Sequence, residues 1–179
     1  MAMKPLVLDT AVILNLLAAD VGNAILQCLR TECLVATAAA QETLYVRSDD
    51  PAQPARLVSV EPWREAGLIA IVSPEGPEEE NLYVQFASEL DDGEAMSLAI
   101  CQARRCILAT DDRKARRLAG SLRPEAVSLL STAEMVHCWA TRTTVQEEIL
   151  RLTLQAIERR ARFVPPQGDA FRDWWLQKR

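Results

Sequence analysis

Acidic residues recur at one kind of position in this 179-residue chain. Asp9 closes the short apolar run in VLDT, and Asp111 and Asp112 follow the apolar run CILA. Asp91 and Glu94 open the segment LDDGEAMSLAI, and Glu42 lies in AAAQETLYV, behind another apolar run. In an open parallel sheet, groups just past the strand C-termini share one edge, so acids far apart in sequence can converge there. Carboxylates at close range repel and cannot all stay ionised, a conflict that a divalent cation removes. Hard oxygen ligands select Mg²⁺, Mn²⁺ or Ca²⁺ over zinc. The single histidine, His137, falls in a helical stretch far along the chain, which disfavours a histidine-based zinc site.

Such a centre suits phosphodiester hydrolysis, where the ion acidifies water and offsets phosphate charge while a carboxylate steers or deprotonates that water. Thr10 and Thr110 stand beside the acids, with hydroxyls able to hold water or a phosphate oxygen. Arg113, Lys114, Arg116 and Arg117 directly follow Asp112, and Arg104 and Arg105 precede CILA; these cations could hold a nucleic-acid backbone. Each acid also has a plainer role. Asp91 and Glu94 have the spacing of a capping box, and Asp9-Thr10 and Thr110-Asp111 could cap the helices they precede. Capping does not account for Glu42, expected in the middle of a helix.

The elements that must position these groups follow from periodicity. Strands are expected at residues 5–8, 33–36, 68–72, 106–109 and 126–130. Helices are expected at 10–19, 20–30, 37–46, 91–104, 113–119, 131–139 and, as one long amphipathic segment, 144–163. Another opens in the acidic stretch 74–80 and runs to about 89, taking in ENLYVQF, while 48–56 reads as a loop and 58–66 is undecided. Short strands separated by helical lengths argue an α/β fold with a mostly parallel sheet. The Glu78–Glu80 run and the arginines of 151–162 read as solvated helix faces, and His137 as structural. Trp174 and Trp175 read as anchors for a tail behind Pro165-Pro166.

Composition sets the outer bounds. Hydrophobic residues make up 49% of the chain and aromatics 5%, so the core must be mostly aliphatic. The net charge of −5 excludes a uniformly basic coat, yet it is uneven: residues 1–99 hold 5 basic and 16 acidic residues, and residues 100–179 hold 15 and 9. That asymmetry can set a metal site beside a phosphate-binding surface. Five cysteines, an odd number without a C-x-x-C pair, read as free thiols in a reducing compartment. With no membrane-length apolar run and no signal-peptide pattern at MAMKPLVLDT, a soluble cytoplasmic protein without a membrane role is expected.

Four segments in order resemble PIN (PilT N-terminus) domains over about residues 5–132: VLDTAVILNLL, AAAQETLYV, LDDGEAMSLAIC and ILATDDRKARRLA. The third is similar to the LDxGEAxAIxLA pattern of one subgroup, and the fourth to a TxD element. The resemblance implies a three-layer α/β/α sandwich around a parallel sheet of four or five strands, here with extra C-terminal helices. It implies a nuclease domain over 1–142 and a helical extension over 143–179 packing on the same domain. It further implies Mg²⁺- or Mn²⁺-dependent cleavage of RNA, with Asp9, Glu42, Glu94 and Asp112 catalytic. The metal ligands would come from Asp9, Glu94, Asp112, Asp91 and Asp111; the helical pattern favours Glu94 over Asp91, and the TxD spacing favours Asp112 over Asp111. Substrate would meet Thr10, Thr110, Arg113, Lys114 and Arg116. Many small members resemble VapC toxins, homodimers restrained by an antitoxin protein, which would place a dimer surface on the apolar helices of 10–30. A PIN-like module that binds RNA or protein without cutting is the alternative.

Overall fold

A computed structural model describes residues 4–42, 44–122 and 127–179. Strand β1 (Leu6–Leu8) leads into helices α1 (Thr10–Ala18) and α2 (Gly22–Leu29). Next come β2 (Cys33–Ala36), α3 (Thr37–Gln41), and an antiparallel hairpin of β3 (Leu44–Val46) and β4 (Arg56–Val58). Then follow α4 (Glu61–Glu65), β5 (Ala70–Val72), α5 (Gly76–Phe86), α6 (Asp92–Arg104), β6 (Ile107–Ala109), α7 (Arg113–Ser121) and β7 (Ser128–Leu130). Helices α8 (Thr132–Arg142), α9 (Glu147–Ala156), a π-helical turn (Ile157–Ala161) and α10 (Arg172–Lys178) come last. Two compact units interleave along this order, one of residues 1–12, 31–42 and 60–130, the other of 13–30, 43–59 and 131–179.

The first unit holds a five-stranded sheet in the order β5-β2-β1-β6-β7, every pair parallel. Flanking helices make it the α/β/α arrangement of a PIN-like sandwich, with the extra C-terminal helices expected. Every side chain of β1 and β2 is buried. Strands covered on both faces read as continuous apolar runs rather than alternating ones, which is why LVL and CLVA carry no polar residue. From β1 the sheet grows one way through β2 to β5, and the other way through β6 to β7. The order therefore reverses between β1 and β6, the crevice where open parallel sheets bind ligands. Helix α6 lies against β1, β2, β6 and α3 through a buried run from Ser97 to Cys101. It ends where Arg105 turns left-handed, at φ 55°.

In the second unit α2 packs on α8, and Asn15 Nδ2 donates to Thr132 Oγ1 at 3.1 Å. Trp175 is wholly buried, its indole N–H donating to Glu158 at 2.8 Å. His137 packs against the rings of Phe171 and Trp174, the structural place expected of it. Among the described residues no helix is long and apolar enough to cross a membrane.

Several expected elements differ. The helix expected over 37–46 stops at Gln41, and Glu42 is extended (φ −65°, ψ 141°), so Glu42 closes a helix rather than sitting inside one. Leu44, Tyr45 and Val46 are 7%, 55% and 1% exposed, the period-two alternation of a strand. That strand's partner is Arg56–Val58, which lies where the expected loop of 48–56 meets the undecided stretch 58–66. The long helix of 144–163 is α9 plus the π turn, closed by Arg162 at φ 58°. Ala126, expected to start the last strand, lies outside the described residues. Among the apolar residues of 10–30, Val12, Ile13, Leu16, Ile25 and Leu26 are buried within the chain, whereas Leu14, Leu17 and Val21 are partly exposed.

Candidate metal centre and nuclease site

The first unit brings the acids of four separate segments to the switch-point edge. Asp9 sits one residue past β1, tied to β6 by its backbone N–H donating to Ala109 O at 3.0 Å. Its side chain is 1% exposed. One carboxylate oxygen accepts the Thr10 N–H at 2.7 Å, and the other accepts the Thr110 hydroxyl at 2.6 Å. Burial pushes the Asp9 carboxyl up to about 6 from an ordinary 3.8. The Thr110 and Thr10 hydrogen bonds pull it back, and the charges of Asp91 and Asp112 push it further up.

Thr110, fully buried past β6, also accepts the Asp112 N–H on its hydroxyl at 3.1 Å, so one hydroxyl links two acids. Asp112 caps α7, with Oδ1 accepting from Lys114 and Ala115 N–H at 2.7 and 2.8 Å. Asp91 caps α6, accepting the Glu94 N–H at 2.9 Å. The cap anticipated from spacing at Asp91 is real, whereas α7 is capped by Asp112 rather than by Thr110 or Asp111; each cap fixes a carboxylate at a helix N-terminus. Half-buried Glu94 is pushed up to about 7 by burial first, then by the charges of Asp112, Asp9 and Asp91. Glu42 accepts the Thr10 hydroxyl on Oε1 at 2.8 Å. Partial desolvation raises its carboxyl, the Thr10 hydrogen bond opposes that, and the charges of Asp91 and Asp92 raise it again. Asp111 lies half-buried between Thr110 and Asp112.

The cations are arranged less uniformly. Arg113, Lys114 and Arg117 are exposed along α7. Arg116 is turned inward, its guanidinium donating to Thr110 O at 2.8 Å and Leu130 O at 3.4 Å, where it braces the ends of β6 and β7. Arg104, expected beside a nucleic-acid backbone, is bound instead to Glu79 (2.8 and 2.9 Å) and Ser73 O (3.0 Å). Glu79 is accordingly buried, unlike the solvated face expected for its acidic run.

Two residues escaped the sequence reading. The Tyr83 hydroxyl on α5 donates to Asp92 Oδ1 at 3.1 Å, a contact with no local signal because Tyr83 sits in an unremarkable helix. Gly93, in the first turn of α6, is packed so closely that a Cβ there would overlap Glu42 Oε1 and stand 3.0 Å from Thr10 Oγ1. Glycine costs helix stability, so its presence in a helical turn was the available signal. A cleft of about 410 Å³ opens here, lined by Ala38, Gln41, Glu42, Asp91, Asp92 and Gly93.

The donor set suits a hard divalent cation, being all oxygen and self-repelling enough to raise three of its members. Among the described residues, however, no three acidic, histidine or cysteine side chains are already gathered around one point. The carboxylates are held instead by Thr10, Thr110 and the helix N–H groups.

The PIN-domain family model matches residues 5–161. The chain belongs to the PIN-domain family. PIN domains are generally nucleases that use divalent metals, and the family's span includes every acid described above. Among curated proteins and solved structures, no match to the chain was found.

Proposed function

We propose that this PIN domain is a Mg²⁺- or Mn²⁺-dependent endoribonuclease with Asp9, Glu42, Glu94 and Asp112 at its centre. The observation that carries the proposal is the convergence of Asp9, Glu94, Asp91 and Asp112 at the β1/β6 edge, where Asp91 and Asp112 raise the Asp9 carboxyl and Asp112, Asp9 and Asp91 raise that of Glu94. Asp9, Glu94 and Asp112 would hold the cation, with Asp91 and Asp111 flanking them. Bound there, a divalent cation acidifies water and offsets the charge of the scissile phosphate. Thr110 keeps Asp9 and Asp112 in register, and Thr10 does the same for Asp9 and Glu42. Exposed Arg113 and Lys114 offer the RNA backbone a cationic approach without reading its sequence. The same reading takes residues 1–142 as the nuclease domain and 143–179 as its helical extension. A toxin role, with an antitoxin partner and a homodimer, belongs to this proposal through the family resemblance alone.

A second reading, an RNA- or protein-binding module that does not cut, draws on the absence of a ready-made metal cluster among the described residues. One assay separates the two. Purified protein is incubated with a pool of short labelled RNAs in Mg²⁺, Mn²⁺ or EDTA, beside Asp9→Ala. Cleavage that needs metal and vanishes in Asp9→Ala is expected; RNA left intact under both metals would favour the binding module.

A further inference from the structure

We propose that Gly93 is a positioning residue: its missing side chain is the space that Glu42 occupies, so that glycine here serves the site at the expense of the helix. The inference rests on the reading of Glu42 as a member of the nuclease site. Gly93 lies in the first turn of α6, buried, and its φ is not in the left-handed region. Backbone geometry therefore does not call for glycine, and helix propensity opposes it. What requires it is the close approach of two groups. A Cβ would overlap Glu42 Oε1 and crowd Thr10 Oγ1, while the next nearest atom, Glu42 Cδ, would lie 3.4 Å away. The nearest obstacle is thus the far end of a flexible side chain, which can swing away at little energetic cost. Swinging away breaks the 2.8 Å hydrogen bond from the Thr10 hydroxyl.

The consequence is an unusual separation of effects. Alanine at this position fills a helical turn with the best helix former and displaces only the tip of Glu42. The folded state is kept, and the site loses one carboxylate from its place. A residue kept for packing would behave in the opposite way, losing stability first.

The test is Gly93→Ala alone and in two backgrounds. Thermal unfolding is expected to be unchanged or higher. Metal-dependent RNA cleavage is expected to fall about a hundredfold, the scale on which small misplacements of reacting groups act, with the loss in kcat rather than KM. In Glu42→Gln, adding Gly93→Ala should change the rate by less than about twofold, because the displaced group is already disabled. In Glu42→Asp, one methylene shorter, Gly93→Ala should cost much less than it costs the unmodified protein. A readout independent of cleavage is the carboxyl ¹³C resonance of Glu42, assigned by its loss in Glu42→Gln. It should move in Gly93→Ala in the same sense as in Thr10→Val. If Gly93→Ala leaves that resonance and the rate unchanged, or lowers the rate equally in Glu42→Gln, the assignment is overturned. Should the unmodified protein cleave no RNA, the nuclease reading fails, and the resonance alone decides whether Gly93 places Glu42.

Discussion

Two groups of acids in this molecule end in opposite states. In the second unit, the guanidinium of Arg160 meets Asp49 at 2.5 Å and Asp20 at 2.6 Å, and it donates to Ala18 O at 3.2 Å. Hydrogen bonding to Arg160 holds the Asp49 carboxyl below its usual range. In the first unit, Asp9 and Glu94 are pushed up to about 6 and about 7 by burial and by neighbouring acids. One cluster is thus ion-paired within the chain, while the other gathers acids that raise one another. A completed cluster serves stability, whereas acids gathered against their own repulsion mark a site that trades stability for binding.

Breaking each cluster should therefore give opposite phenotypes. The largest effect is on activity. Neutralising the buried acid in Asp9→Asn should lower metal-dependent cleavage about a thousandfold, in the range of losses when a group that stabilises transition-state charge is removed. Its unfolding temperature should stay level or rise, which thermal denaturation in EDTA will show. Next comes stability. Arg160→Met leaves two aspartates and the Ala18 carbonyl without their donor. It should cost about 1–2 kcal/mol, limited because Asp49 and Asp20 remain in reach of water. That corresponds to a drop of roughly 3–6 °C with cleavage intact.

The smallest effect, and the sharpest test of the contrast, is in pH dependence. Asp9 and Glu94 bind protons more tightly when folded, with values of about 6 and about 7 against ordinary values of 3.8 and 4.5. Where the native state holds more protons than the unfolded state, stability falls as pH rises. The metal-free site should therefore lose stability between about pH 4 and pH 7 and level off above. Glu94→Gln removes part of that loss, so its advantage in melting temperature over the unmodified protein should grow from near zero at pH 4 to roughly 2–4 °C at pH 8. Asp49 has the opposite sign: its contribution is present above the unfolded value and is lost as pH falls through its lowered folded value. The deficit of Arg160→Met should accordingly shrink under acid. A melting-temperature difference that ran the same way in both variants would dissolve the comparison.

The acids at the β1/β6 edge were legible in the sequence because strand-end position is a local property. Asp9, Asp112, Asp91 and Glu94 are each fixed by a run of apolar residues or by a helix start within a few positions. The Arg160 cluster was not legible, since Asp49 and Arg160 are separated by 111 residues and nothing local pairs them. The sequence placed those arginines on an open helix face for the same reason that it left Arg104 open and Glu79 solvated. Glu42 was picked out as the acid that capping does not explain, but it was misplaced in its element. Alanines in TAAAQ favour a helix, but the alternation Leu44-Tyr45-Val46 acquires a strand partner only through the tertiary pairing with Arg56–Val58. Gly93 lay in full view within a recognised motif, and its meaning appears only once Glu42 is seen against it.

The central claim is that the acids at the β1/β6 edge form one site for a divalent cation. Titration of the metal-free protein with Mn²⁺ in a calorimeter at pH 6.5, in two buffers of different ionisation enthalpy, tests it most directly. The account predicts saturable binding with proton release, because Glu94 and part of Asp9 are protonated there, and loss of that binding in Asp9→Asn. No heat of binding up to millimolar Mn²⁺, or binding unchanged in Asp9→Asn, would contradict it.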